Sequence, residues 1–437
     1  MDKSRRDFCK KSITAAAGVG LVSLVPGQLS CSNPNETIVF GAIGIRSMGY
    51  ANMRAFLRQK NTYCKALCDV DQSIINQRAA WVQKETGKKP DTYTDFRKLL
   101  EDKEIDAVII GTPDHWHCLI AIMAMEAGKH VYVEKPMANS ITEAMLMEKA
   151  VERYEKVLTV NQWQRSGQHW QDAVDYINSG KLGKIGRIKA WSYTRKDELP
   201  IVPDSPTPEG VDYDMWLGPA RKRPFNKQRY HYNHRYYWDY AGGLMCDWGV
   251  HMLDFALFGM DVTTPNKVMA MGGKYSFPND ARQTPDMMNV LYQFDDFMVE
   301  WEHAISLGQQ KFGSSAGIVY QGENASMTVH RGGWEVIPEK SHKGEPLADA
   351  VPFTKGQGDL DKHVANFLHC IRNNKMETNC SVKAGKDVAI LAHMGNIAYR
   401  TGEILHWDKK KLEFTGSDAA NALITPTYRA PWKLPNL

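Results

Sequence analysis

The chain has 437 residues, 43% of them hydrophobic and 24% charged, with a formal net charge of +4. That length exceeds what one core usually serves, so two domains are expected, and the apolar content can fill both. The positive surplus is too small to build a field for nucleic acid, and it falls to about +1 when residues 1–30, with five basic and two acidic side chains, are set aside.

Those thirty residues read as a targeting segment. Ser4-Arg5-Arg6-Asp7-Phe8-Cys9-Lys10 precedes the apolar run Ile13 to Val25, which is the layout of a twin-arginine export signal. The run is too short to span a bilayer as a mature helix. Leu29-Ser30-Cys31 followed by polar residues offers a lipoprotein processing site with Cys31 acylated, although Gln28 is unfavourable three residues before it. The expectation is a periplasmic protein that meets a membrane only through the signal or a lipid on Cys31, with residues 31–36 as linker. The remaining cysteines, Cys64, Cys68, Cys118, Cys246, Cys370 and Cys380, show no metal-type pairing and read as buried thiols.

From Thr37 onward short β-branched runs alternate with amphipathic stretches, the pattern of a parallel sheet with crossover helices. Strands are expected at Thr37–Ala42, Tyr63–Cys68, Asp106–Gly111, His130–Glu134 and Leu158–Asn161. Helices are expected at Ser47–Gln59, Asp71–Glu85 and His115–Ala127, and from the capping box Ser140-Ile141-Thr142-Glu143 to Lys156. Residues 37–162 thus read as a Rossmann dinucleotide-binding domain.

The first strand-to-helix turn carries Gly41, Gly44 and Gly49, but Arg46 stands where G-x-G-x-x-G has its middle glycine. Arg46 either swings outward to pair with phosphate or weakens cofactor binding. Asp69, twenty residues after Gly49, would accept ribose hydroxyls and repel a 2′-phosphate, which favours NAD; Asp71 is the competing candidate for a plain helix cap. Thr112-Pro113-Asp114-His115-Trp116-His117 lies at the carboxyl edge of the sheet. His115 and His117 lack a Cys or Glu partner for zinc, so a wall for the nicotinamide ribose is expected and no metal.

A charged pair at the end of a buried strand needs a reason, and Val133-Glu134-Lys135-Pro136 supplies one. Together with Gly243-Leu244-Met245-Cys246-Asp247-Trp248-Gly249-Val250-His251, which has the form G-x-x-x-D-x-x-x-H, it resembles the glucose-fructose oxidoreductase and inositol dehydrogenase superfamily, Gfo/Idh/MocA. The resemblance covers Thr37 to about Glu403. It implies that Lys135 reaches the reacting carbinol and the nicotinamide, and that Pro136 follows a cis bond. It further implies that Asp247 orients substrate hydroxyls and tunes the imidazole, and that His251 is the general base. NAD contacts are expected from Gly41, Gly44, Arg46, Ser47, Met48, Gly49, Asp69, Thr112, Pro113, His117, Glu134, Lys135, Asn161 and Arg165, the last placed by the resemblance near the cofactor amide and substrate.

Residues 163–403 read as an α+β substrate domain with a mainly antiparallel sheet. Its strands are expected near Lys267–Tyr275, Met287–Phe294, Phe297–His303, Gly317–Gln321 and Ser326–His330, its helices at Asp359–Asn373 and Ala384–Arg400, and residues 404–437 as an irregular tail packed on the fold. Asp254 lies three residues beyond His251, on the same helix side as Asp247. The run Tyr230 to Tyr240 offers aromatic faces for pyranose rings, with His231, His234, Arg235 and Trp238 as substrate contacts beside Asp247; a core-packing segment is the competing reading. The resemblance implies a homo-oligomer acting on a sugar or glycoside. The leading expectation is an NAD-dependent carbohydrate oxidoreductase that retains its cofactor, because a periplasm supplies none. The alternatives are an NAD-dependent glycoside hydrolase without net redox change and a non-catalytic sugar-binding protein.

Overall fold

The computed structural model describes residues 37–308 and 310–437, so the expected export signal and Cys31 lie outside the described residues. The first sheet has six parallel strands: β1 (Ile38–Ile43), β2 (Thr62–Cys68), β3 (Asp91–Tyr93), β4 (Ala107–Ile110), β5 (His130–Val133) and β6 (Leu158–Val160). Their order, β3-β2-β1-β4-β5-β6, places the reversal of strand order along the sheet between β1 and β4. Ligands of open α/β sheets bind at such a switch point, outside the carboxyl ends of the strands. β4 is buried throughout because helices cover both faces.

Three of the helices of this half begin at capping side chains, Asp71, Asp95 and Ser140. Asp71 accepts from the backbone N–H groups of Ser73 and Ile74 and opens α2 (Gln72–Thr86), after α1 (Ser47–Leu57). Next come α3 (Phe96–Leu100), α4 (Asp114–Glu126) and α5 (Ile141–Tyr154). Ser140 caps α5 by accepting from Glu143 N–H, while Glu143 accepts from Asn139 N–H, one residue before the cap.

The second half holds α6 (Gln168–Asn178), β7 (Ile185–Tyr193), α7 (Tyr213–Leu217), a π-helical turn at Met245–Gly249 and α8 (Val250–Met260). Then follow β8 (Lys267–Gly273), β9 (Met287–Gln293), β10 (Met298–Ala304), β11 (Ala316–Gly322), β12 (Ala325–His330), β13 (Gly333–Pro338) and β14 (Val351–Lys355). Two long helices, α9 (Leu360–Arg372) and α10 (Val382–Thr401), precede β15 (Leu405–Asp408), β16 (Glu413–Thr415) and α11 (Asp418–Asn421). The sheet has ten strands, antiparallel except where β7 runs parallel to β10.

Two sequence expectations change here. β7 lies between β11 and β10 at the centre of this sheet, although residues 185–193 carry no clean alternation; the strand is recruited by its neighbours. The tail is not irregular throughout, because β15 and β16 form a hairpin that extends the sheet from β8. The six described cysteines are buried free thiols, as their lack of pairing suggested.

Several histidines are buried as neutral rings. His363 in α9 lies 2.8 Å from Ser166 Oγ through Nδ1 and 3.0 Å from the Val160 carbonyl through Nε2, an arrangement satisfied by a neutral ring. Burial pushes His115 down to about 3, and His303 and His363 down to about 4. Below the unfolded value of 6.5 the unfolded chain binds more protons than the folded one, so stability is full above about pH 6.5 and drains as pH falls toward those lower values. Thermal melts should therefore be flat from pH 7 to 8 and drop steadily from 6.5 to 4.5, each buried ring contributing up to ~1.4 kcal/mol per pH unit. His363→Gln should give a shallower acid slope; identical slopes in both proteins would contradict the assignment.

Candidate functional site

A cleft of about 600 Å³ opens at the switch point, lined on one side by the β1 and β4 loops and on the other by Tyr230, His231, Tyr232, His234, Arg235 and Asp247. Its floor depends on three glycines. Gly44 sits at φ +76°, and a Cβ there would lie 2.6 Å from the Thr112 nitrogen. A Cβ on Gly49 would fall 1.9 Å from the Gly44 carbonyl oxygen, and one on Gly111 would fall 2.6 Å from the Gly49 Cα. The start of α1 therefore packs on the end of β4 backbone to backbone, leaving the Gly44 to Met48 turn facing the cleft. Gly111 completes this contact and was not expected from the motif. Gly41 does not reach the cleft: its missing side chain makes room for Leu99 and Ile105 in the core.

Asp69 lines the cleft at the end of β2 and accepts from Ile45 N–H at 2.9 Å and Asp71 N–H at 3.2 Å. Burial raises its carboxyl while these amides oppose the rise. Asp71 takes the capping role and Asp69 stays at the cleft wall. Thr112 and Pro113 also line the cleft, and Thr112 Oγ1 is buried without a partner. His117 ties the two neighbouring loops together, its ring nitrogens 2.7 Å from the Pro136 carbonyl oxygen and 2.8 Å from that of Thr112.

Arg46 swings outward and crosses the cleft mouth. Its guanidinium lies 2.5 Å from His231 Nε2 and 4.0 Å from Asp71. Burial, reinforced by Arg46, lowers His231 to about 4, so at neutral pH the neutral ring accepts a hydrogen bond from the Arg46 guanidinium. His234 lies 3.5 Å from Asp114, a buried carboxylate that the motif reading passed over. The residue that replaces the family glycine thus latches the glycine loop to the second half of the chain.

The strand-end pair divides its labour. Glu134 accepts from Asn52 at 2.7 Å and Asn161 at 2.6 Å, and Asn161 accepts from Tyr132. Asn161 therefore holds Glu134 from behind and does not line the cleft. Lys135, followed by a cis bond to Pro136, donates from Nζ to Asp247 Oδ1 at 2.6 Å and to the Asp247 carbonyl at 2.8 Å. Arg235 donates to the other carboxylate oxygen at 2.5 Å. These two cations hold the Asp247 carboxyl far below the usual range despite its burial.

His251 follows the π turn, and the Trp248 ring lies 5.9 Å from its own. Its Nδ1 is buried without a partner, so Asp247 does not grip the imidazole; its influence is electrostatic. Burial, then the nearby Lys135 and Arg331 charges, push His251 well below 6.5, leaving a neutral base at pH 7. Two expected residues lie elsewhere. Arg165 makes a bidentate ion pair with Asp254, both buried, and joins the β6 loop to α8 rather than facing cofactor or substrate. Trp238 packs under Arg400, 5.2 Å from its ring, outside the cleft lining. The run 230–240 serves both of its readings: Tyr236, Tyr237 and Tyr240 are core, while Tyr230, His231, Tyr232, His234 and Arg235 face the cleft.

Residues 38–162 match the family model described as oxidoreductase family, NAD-binding Rossmann fold, and residues 188–434 match the oxidoreductase family C-terminal alpha/beta domain. The chain belongs to the Gfo/Idh/MocA family. Among Gfo/Idh/MocA structures, it superposes on an aldose-aldose oxidoreductase from Caulobacter crescentus with TM-score 0.63 and 17% identity, over 85% of this chain and 99% of that one. A levoglucosan dehydrogenase bound to NADH and levoglucosan gives TM-score 0.62 and 20% identity, over 85% and 99%. In sequence, an alpha-N-acetylgalactosaminidase from Shewanella oneidensis is 30% identical over 174 residues, 39% of this chain and 37% of that protein. The match spans little more than a third of such relatives.

The Gfo/Idh/MocA cofactor, NAD, fits the residues present. The glycine floor admits a pyrophosphate, the orphan Thr112 hydroxyl can take a hydrogen bond, and Asp69 offers free lone pairs at the wall. Asp247→Asn leaves two buried cations undercompensated and should cost on the order of 3 kcal/mol, seen as a lower melting temperature. Arg46→Gly restores the family glycine but removes the latch; NAD measured after dialysis should fall below wild type, and equal retention would show the latch to be idle.

Proposed function

We propose that this protein is an exported NAD-dependent oxidoreductase that oxidises a ring hydroxyl of a sugar or glycoside and retains its cofactor between turnovers. The observation that carries the reading is the meeting of Lys135, Asp247 and Arg235 on the wall of the cleft, with the neutral His251 within the electrostatic reach of Lys135 and Asp247. Bound NAD supplies the hydride acceptor. His251 removes the hydroxyl proton, which requires the neutral ring that its surroundings enforce. Lys135 holds the reacting oxygen and stabilises the alkoxide character that develops on it. Asp247, fixed as a carboxylate, accepts from a neighbouring hydroxyl and keeps both cations in place.

A second reading is favoured by the glycosidase name of the Shewanella relative. There the same oxidation acidifies a neighbouring C–H, the glycosidic bond is lost by elimination, water adds and the oxidation is reversed. Both readings use the same residues and differ in product. The latch from Arg46 to His231 supports retention in either case.

The test begins with protein purified natively from the exported fraction without added nucleotide, then denatured and assayed for NAD. Near-stoichiometric NAD is expected. Lys135→Ala and His251→Ala should each lower kcat by roughly 10²- to 10⁴-fold while keeping a cooperative melt. Keto-sugar formation supports net oxidation and free sugar supports hydrolysis. An empty wild-type protein, or full activity in both variants, would sink the proposal. Because His251 is held neutral, kcat/KM should stay level through pH 6.5 and fall only well below it.

A further inference from the structure

Arg331 is a half-buried cation that the mechanism above uses only through its field on His251. It lies in the turn between β12 and β13, and its guanidinium is sandwiched between the rings of Trp163 and Trp248, 4.6 Å from each. Trp248 immediately follows Asp247 and is the same ring that neighbours His251. Among the described residues Arg331 has no carboxylate at ion-pair distance. Its one hydrogen bond is a long one, 3.4 Å from Nη2 to Gln164 Oε1, and its Nε is buried without a partner. Gln164 Nε2, on the same side chain, is also buried without a partner. Burial lowers Arg331 to about 10, so it remains a cation at neutral pH.

Every other buried arginine near the site has its anion: Arg165 holds Asp254, and Arg235 holds Asp247. A cation pinned between two indoles and flanked by an unused amide donor is preorganised for an acceptor with negative charge. We propose that Arg331, with Gln164, binds an oxyanion substituent of the sugar, such as the carboxylate of a hexuronic acid, and sets a preference for acidic over neutral substrates. The proposal rests on the carbohydrate reading above. A planar fork suits a carboxylate bidentately, and the indole faces of Trp163 and Trp248 confine the guanidinium plane.

Isothermal titration of the holoprotein with glucuronate and galacturonate against glucose and galactose tests this, with glucose 6-sulfate to separate a carboxylate from a sulfate ester. Wild type should bind an acidic sugar on the order of 10- to 100-fold more tightly than its neutral counterpart. Arg331→Gln should erase that ratio, and Arg331→Lys should restore part of it, both with wild-type NAD content and melting temperature. No acid preference in wild type, no binding of either class, or a ratio unchanged in Arg331→Gln would overturn the proposal. Keto-sugar and NAD assays on wild type judge the carbohydrate reading separately. An electrostatic effect of Arg331 on His251 alone would alter turnover without altering the acid-to-neutral binding ratio.

Discussion

The Asp247 carboxylate, held between Lys135 from the first half and Arg235 from the second, is the interaction on which the site depends. Their side chains are only 14%, 14% and 20% exposed, respectively, so none of the three charges is tolerable alone. The pairings offset that desolvation and fix where each group points. The Asp247 carboxylate stays ionised down to strongly acid pH, and its stabilisation is lost only as pH falls through that depressed value. Burial is the main cause that keeps His251 neutral, and Lys135 adds to it, so the lysine that holds Asp247 as an anion also disfavours a charged imidazole.

The π turn at Met245–Gly249 makes this geometry available. An uninterrupted α-helix would place Asp247 and His251 on one face by the four-residue spacing alone. The extra residue in the turn lets Asp247 face Lys135 and Arg235 while His251 sits beside Trp248, a common use of π turns at functional sites. Downstream, α8 is anchored by Asp254 on Arg165, so the buried ion pair serves to position the helix that carries His251.

The cofactor side follows a different constraint, close backbone packing. Gly44, Gly49 and Gly111 meet with no room for a side chain, which brings the first turn of α1 to the cleft without help from the missing middle glycine. Arg46 can then serve as a latch because its side chain leaves the crowded floor and reaches His231 across the mouth.

The parallel first domain was legible because β-branched runs, caps and the glycine turn are local signals, and so were Lys135, Asp247 and His251, whose spacing is a motif. Asp69 and Asp71 were separable as wall and cap only once their amide partners were known. Arg165, placed near the cofactor by the resemblance, and Asn161, at the end of the last strand, were expected as ligands, but each is taken by a carboxylate, Asp254 and Glu134, that local pattern does not link to it. β7 and the β15–β16 hairpin were missed because neighbouring strands, not local pattern, make them strands. Arg331 carried no signal at all, lying in a hairpin turn 80 residues past His251. The sequence by itself determined the Rossmann order, which rests on short-range periodicity, and the family resemblance carried by its two motifs singled out Lys135, Asp247 and His251 as candidates. Only the tertiary structure decided which charges are paired and which are left free, because pairing depends on burial and on contacts between segments a hundred residues apart.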